Sequence, residues 1–415
     1  MPIDLPGYEP AKDALDGLKR VFQWFAIRRA HRSMANAQKA YRDAHLAAYL
    51  RWKYPSSQLL VVDNHTYPVA VFRPTPEQMT RPDDVLQTPL LRSDARDIGF
   101  IVKSKSYRRS AHKLGLNLYD RPCFTMKRLM TEGSLQVQCE LGSYFGALDS
   151  CDSLAWELLS SIGALSSSTS SSLTAFDRRL RLRSRLHAEV VDPVKMGRGR
   201  NAAIGISVLI AYNDGADTQL LVRRRGPTVA IHNGMVHVAP SCMFQPATMD
   251  HDREFSVVHN IFREYLEELF DRPEADGREA DFRYFYNDPR LLRLRRLLEE
   301  GNASLVLTGV AVNLLNLRPE ICLLLHIPDP SWYGQQATEV DGGTRFRFNE
   351  EWMPLSGMGG TPRTAIHRIT YRAEAEEMLA SAGFDHAELI PAGAAALWLG
   401  KSVLDSWVRG KITAS

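Results

Sequence analysis

Three glutamates, Glu264, Glu267 and Glu268, follow directly on Arg263. On a helix turning about 100° per residue they span an arc of only about 100°. Ionised carboxylates that close repel one another, and like charges four residues apart destabilise a helix. A hard divalent cation reverses that penalty, because magnesium and manganese take oxygen ligands. Arg263 lies beside Glu267 on the same surface, where it can neutralise or orient it. Arg-Glu-x-x-Glu-Glu taken alone also suits an ordinary solvated helix face, so its setting has to decide.

That setting is a helix expected over 253–270. Val258, Ile261, Phe262, Tyr265, Leu266 and Leu269 recur at helical spacing and define its buried face. The carboxylates are expected on the side away from that stripe. A strand at 235–239 runs into Pro240-Ser241-Cys242 ahead of the helix. Further upstream, apolar residues 204–212 and the run 218–224 flank Asp214-Gly215, which reads as a strand pair with a tight turn. Downstream, a helix at 291–300 precedes strands at 304–312 and 320–327. An edge strand at 346–348 and helices at 372–382 and 392–409 complete the pattern.

The first half reads differently. Residues 11–53 have helical spacing, with Lys19, Arg20, Arg28, Arg29, Arg32, Lys39 and Arg42 on the polar side. Short strands follow near 59–63 and 68–72, then loop over 73–98, a strand at 135–141 and a short helix at 153–159. The Ser/Thr run 166–172 reads as a linker. Residues 178–200 are basic: 181–185 alternate as a strand would, and Gly197-Arg198-Gly199-Arg200 reads as a flexible turn. The expected division is an N-terminal α+β region at 1–170, a basic connection at 171–200, and a second unit at 201–410.

Bulk composition is that of a globular chain, with 44% hydrophobic and 24% charged residues. A net charge of +3 over 415 residues argues neither for nor against nucleic acid. The five cysteines are scattered, with no spacing that suits zinc, and are expected to be reduced thiols. No apolar run is long enough to span a membrane and no signal peptide is recognisable, so a cytoplasmic protein is expected.

The order of strand, Pro-Ser-Cys turn and Arg-Glu-x-x-Glu-Glu helix resembles the Nudix family, over roughly the C-terminal half of the chain. That family's signature places a Pro-Gly-Gly turn after a strand and this glutamate helix beyond it. The resemblance implies a fold of α+β class, with a C-terminal α/β/α sandwich around a mixed sheet and a smaller α+β region before it. It implies hydrolysis of nucleoside diphosphates linked to another group, with Mg2+ or Mn2+ held by Glu264, Glu267 and Glu268. Glu267, Glu268 and Arg263 would then be the catalytic set. Cys242 stands where the signature has glycine, and so does Phe270 after the two glutamates. Glu254 is the nearest counterpart of a further glutamate between turn and helix. A fainter likeness, in 237–246 and 391–395, is to uncharacterised bacterial regulator-like proteins with such a module at the C-terminus.

Around that centre, Arg223 and Arg225 are candidate phosphate contacts, since Arg forks match phosphate oxygens. Alternation along a strand lets at most two of Arg223, Arg224 and Arg225 face the same way. Asn313 and Asn316 could read a base or sugar, although such residues more often satisfy a turn. Glu350 and Glu351 are candidates for a general base. His232, His237 and His259 have core or surface roles as their default. The expected partner is a nucleotide-type small molecule, with no membrane contact and with homodimerisation, common among proteins of this resemblance, open. Two other functions compete with hydrolysis: a nucleotide-binding sensor or regulator with impaired turnover, and a nucleic-acid binder using the basic tracts.

Overall fold

The computed structural model describes residues 43–91, 99–113, 118–225, 235–273, 281–334 and 366–409. Twelve strands are described. β1 (Leu59–Val62), β2 (His65–Phe72), β6 (Gly205–Asn213), β7 (Thr218–Arg224), β10 (Ser304–Asn313), β11 (Arg318–Ile327) and β12 (Ile366–Thr370) form a sheet in the order β1-β2-β10-β11-β6-β7-β12. β8 (Val236–Val238) adds to β7 and β9 (Ser241–Met243) to β6. The β11–β6 pair is parallel, whereas β10–β11 and β6–β7 are antiparallel, so the sheet is mixed.

β6 is buried from Gly205 to Tyr212, as a strand covered on both faces must be. Its side chains alternate between two cores. Ile206, Val208 and Ile210 join Ile261, Tyr265, Leu266 and Leu269 of the helix Val257–Phe270. Leu209 and Ala211 join Ala394, Leu397 and Trp398 of the last helix, Pro391–Val408. The fold is α+β, and the large sheet carries helices on both faces.

The second sheet has the order β3-β5-β4, from Leu86–Leu91, Gln136–Ser143 and Pro122–Met130. The two halves of the chain are joined through the main sheet. β2 pairs antiparallel with β10, placing Val69–Phe72 against Val310–Asn313. Phe124 also exchanges backbone hydrogen bonds with Ile204 and Phe244.

Several sequence expectations need correction. Residues 181–185 are helical, within Arg181–Glu189, rather than a strand. The Glu157 carboxylate accepts the Leu182 and Arg183 N–H groups at 2.8 and 3.1 Å and so satisfies the first turn. Arg183 is fully buried and donates to Tyr54 Oη and to the Leu314 and Leu315 carbonyls. Arg200, also buried, donates to the carbonyls of Met196, Pro193 and Leu317. The basic tract is therefore partly structural, pinning the turn between β10 and β11. The Ser/Thr run is not all linker: Thr169 caps a helix at Ser170–Asp177. The expected loop 73–98 contains a short helix, Pro76–Met79, a 3-10 turn and β3. Of the helix expected over 11–53, Ala44–Lys53 is seen; residues 11–42 with their basic side chains lie outside the described residues, as do 346–348, Glu350, Glu351 and His232. No helix among the described residues is long and apolar enough to cross a membrane.

Candidate functional site

The glutamate helix begins where two side chains meet its free N–H groups. Ser256 accepts the His259 N–H at 3.1 Å, while Asp83 accepts those of Val257 and Val258 at 2.6 and 3.2 Å. At the other end Asp271 adopts a left-handed conformation, φ 52°, and its N–H returns to the Leu266 carbonyl. Aspartate tolerates that region better than most residues. The expected helix 253–270 is broken at Phe255–Ser256, with a short turn of helix, His251–Glu254, before it.

The carboxylates do not face open solvent. Glu264, Glu267 and Glu268 are 8%, 6% and 3% exposed, and Arg263 is 2% exposed. This corrects the expectation of an outward face: the helix is enclosed all round, and the acidic arc is covered by protein as well as the apolar stripe. Arg263 supplies much of the compensation. Its guanidinium donates to Glu264 Oε1 at 2.9 Å and to the Gln245 carbonyl at 3.0 Å, and lies 3.6 Å from Glu254 and 3.7 Å from Glu267. Burial alone would lower its pKa, but Glu264 and Glu267 outweigh burial and raise it.

Glu254, fully buried, is held from the other side. It accepts the Ala247 and Thr248 N–H groups, each at 2.7 Å, and the Thr248 hydroxyl. Burial pushes its carboxyl up. The nearby His259 imidazole, 3.8 Å away, and hydrogen bonds from Thr248 and Ala247 prevail and bring it down to about 2. Glu268 is anchored to the start of β9, where its Oε2 accepts the Ser241 N–H at 3.1 Å.

The basic residues at the end of β7 divide by face. Arg223 continues the Leu221 side, toward the glutamate helix, and donates to the Glu268 carbonyl at 3.0 Å. Arg224 turns to the opposite side, 3.4 Å from Glu388 and over the ring of Phe384. Arg225 acts electrostatically on Glu320. Asn313 and Asn316 are committed to the turn between β10 and β11, accepting the Leu315 and Arg318 N–H groups at 3.0 Å. His237 and His259 are both buried; the latter lies among Phe282, Phe285 and Tyr286.

Sequence reasoning missed Glu320. It sits in β11 opposite Gly205, with its carboxylate over that glycine: a Cβ on Gly205 would lie 2.0 Å from Oε2. The Ser207 hydroxyl donates to Oε1. Burial raises its carboxyl to about 7, against the opposing pull of Ser207, Arg318 and Arg225. The signal was a lone acid near the start of an apolar strand, with two small residues, Gly205 and Ser207, on its parallel neighbour. Cys242 lies within electrostatic reach of several of these groups. Burial raises its thiol pKa, with contributions from Glu264, Glu268 and Glu320 and an opposing one from Arg263.

All-carboxylate chemistry suits a hard divalent cation. Among the described residues, no group of three or more His, Cys, Asp or Glu side chains is placed to hold a metal ion. Arg263 holds one of the two Glu264 oxygens, Oε1. Comparison with known proteins finds neither a family model nor a curated protein that matches this chain.

Proposed function

We propose that the protein is a Nudix-like nucleotide sensor, binding a nucleoside diphosphate-linked small molecule with little or no turnover. The observation that carries this reading is the engagement of Arg263 with Glu254, Glu264 and Glu267 at 2.9–3.7 Å. A cation at Glu264 Oε1 would compete with a buried guanidinium for that oxygen, and breaking a buried ion pair is costly. The ligand class rests on the order of strand, turn and glutamate helix. Cys242 and Phe270, in place of the two signature glycines, also favour binding over catalysis.

A second reading, metal-dependent pyrophosphate hydrolysis with Mg2+ or Mn2+ on Glu264, Glu267 and Glu268, is favoured by Glu320. A carboxyl raised to about 7 is poised for proton transfer near neutral pH. A panel of NDP-linked compounds, each assayed with and without magnesium or manganese, separates the two. The sensor reading expects a thermal shift with one compound and no release of a nucleoside monophosphate. Metal-dependent release abolished by Glu267→Gln would replace it with the hydrolase; neither shift nor release across the panel would remove both.

A further inference from the structure

On the face of the sheet opposite the glutamate helix, Tyr67 in β2 is 1% exposed, and its oxygen accepts the Trp398 indole N–H at 2.9 Å. An indole only donates, so the hydroxyl hydrogen of Tyr67 needs an acceptor elsewhere. His386 Nδ1, 2.7 Å away, is its other hydrogen-bond partner. That assignment requires an unprotonated Nδ1, hence a neutral imidazole with its hydrogen on Nε2. Once protonated, both ring nitrogens donate, and the buried Tyr67 hydrogen loses its acceptor. The His386 ring also stacks on His65, with centroids 5.2 Å apart and planes at 19°.

We propose that His386 is a pH-sensitive latch, tying the β1–β2 hairpin to the segment entering the last helix while neutral and weakening that tie when protonated. The chain Trp398–Tyr67–His386 bridges residues more than 300 positions apart. It closes the outer hairpin of the sheet against the segment entering the last helix. Asp63 in the hairpin turn, Asp385 beside the ring and Glu376 on the helix Ala375–Ser381 all favour the cation. Burial outweighs the three and holds the imidazole below its ordinary 6.5. A lowered imidazole pKa makes the latch complete above about 6.5 and weakens it as pH falls through the folded-state value.

The test compares the full-length wild type with His386→Asn, whose side-chain oxygen can take the place of Nδ1 as acceptor but does not titrate. Melting temperatures are measured from pH 7.5 to 4.5. The wild type is expected to lose on the order of 2 °C more than the variant across that range. Equal losses would overturn the latch. Should His386→Asn not fold, Tyr67→Phe removes the hydrogen that needs an acceptor, and its melting temperature is expected to fall less with acid than that of the wild type; an equal fall overturns the latch. Histidine-selective NMR of the wild type gives an independent readout, and a His386 midpoint at or above 6.5 would also overturn the proposal.

Discussion

Arg263 faces one carbonyl and three carboxylates within 3.7 Å, all inside the protein. Removing it as Arg263→Ala would leave Glu254, Glu264 and Glu267 without their nearest buried cation. Such losses cost about 3–5 kcal/mol, and urea denaturation of the variant should read a decrease of that order. A decrease below about 1 kcal/mol would mean that other groups neutralise the cluster. Glu254 gives the matching pH effect. Its carboxyl, lowered from 4.5 to about 2, contributes stability that is complete above the unfolded value and is lost as pH falls toward 2. Glu254→Gln should therefore be less stable at pH 7, by on the order of 3 kcal/mol, and should show a shallower loss between pH 5 and pH 2. An unchanged acid limb would remove Glu254 from the account.

At the scale of elements, Asp83 couples the first half of the chain to the start of the glutamate helix through two backbone N–H groups. Asp83→Ala should cost about 1 kcal/mol, the usual worth of a helix cap, and should raise amide exchange at Val257 and Val258. Exchange at those amides no faster than in the wild type would show that Ser256 suffices. This contact was not legible in the sequence, because it joins residues 174 positions apart. What was legible was local. Residues 218–224 were expected as a strand and form β7, Asp214-Gly215 turns before it, and the last helix falls within two residues of its expected bounds. Periodicity reports such elements well. It misassigned 181–185, where alternating Arg also fits a helix and tertiary groups decided between the two: Glu157 supplies the cap and Arg183 fills a buried slot. It likewise placed the glutamates on an outer face. The acidic run was visible, but the Thr248 turn that positions Glu254 and the Ser241 N–H that holds Glu268 depend on the folded chain.

At the scale of the whole molecule, the sheet runs from β1, in the first half, to β12 near the C-terminus. β2 covers the edge of β10, and Leu46, Phe124 and Val137 share one core with Ile206, Ile261 and Leu323. A chain of residues 201–415 alone would expose the hydrogen-bonding edge of β10 and the apolar surface these residues cover. Open edges of apolar strands invite pairing between molecules, and truncation on this scale removes core contacts that cannot be replaced. The shortened chain should therefore aggregate or lack a cooperative melt, whereas the full chain should unfold with its two halves coupled. Size-exclusion chromatography and differential scanning calorimetry on both chains check this. A monomeric 201–415 with a sharp transition near that of the full chain would show that the second half folds independently and that β2 is dispensable to it.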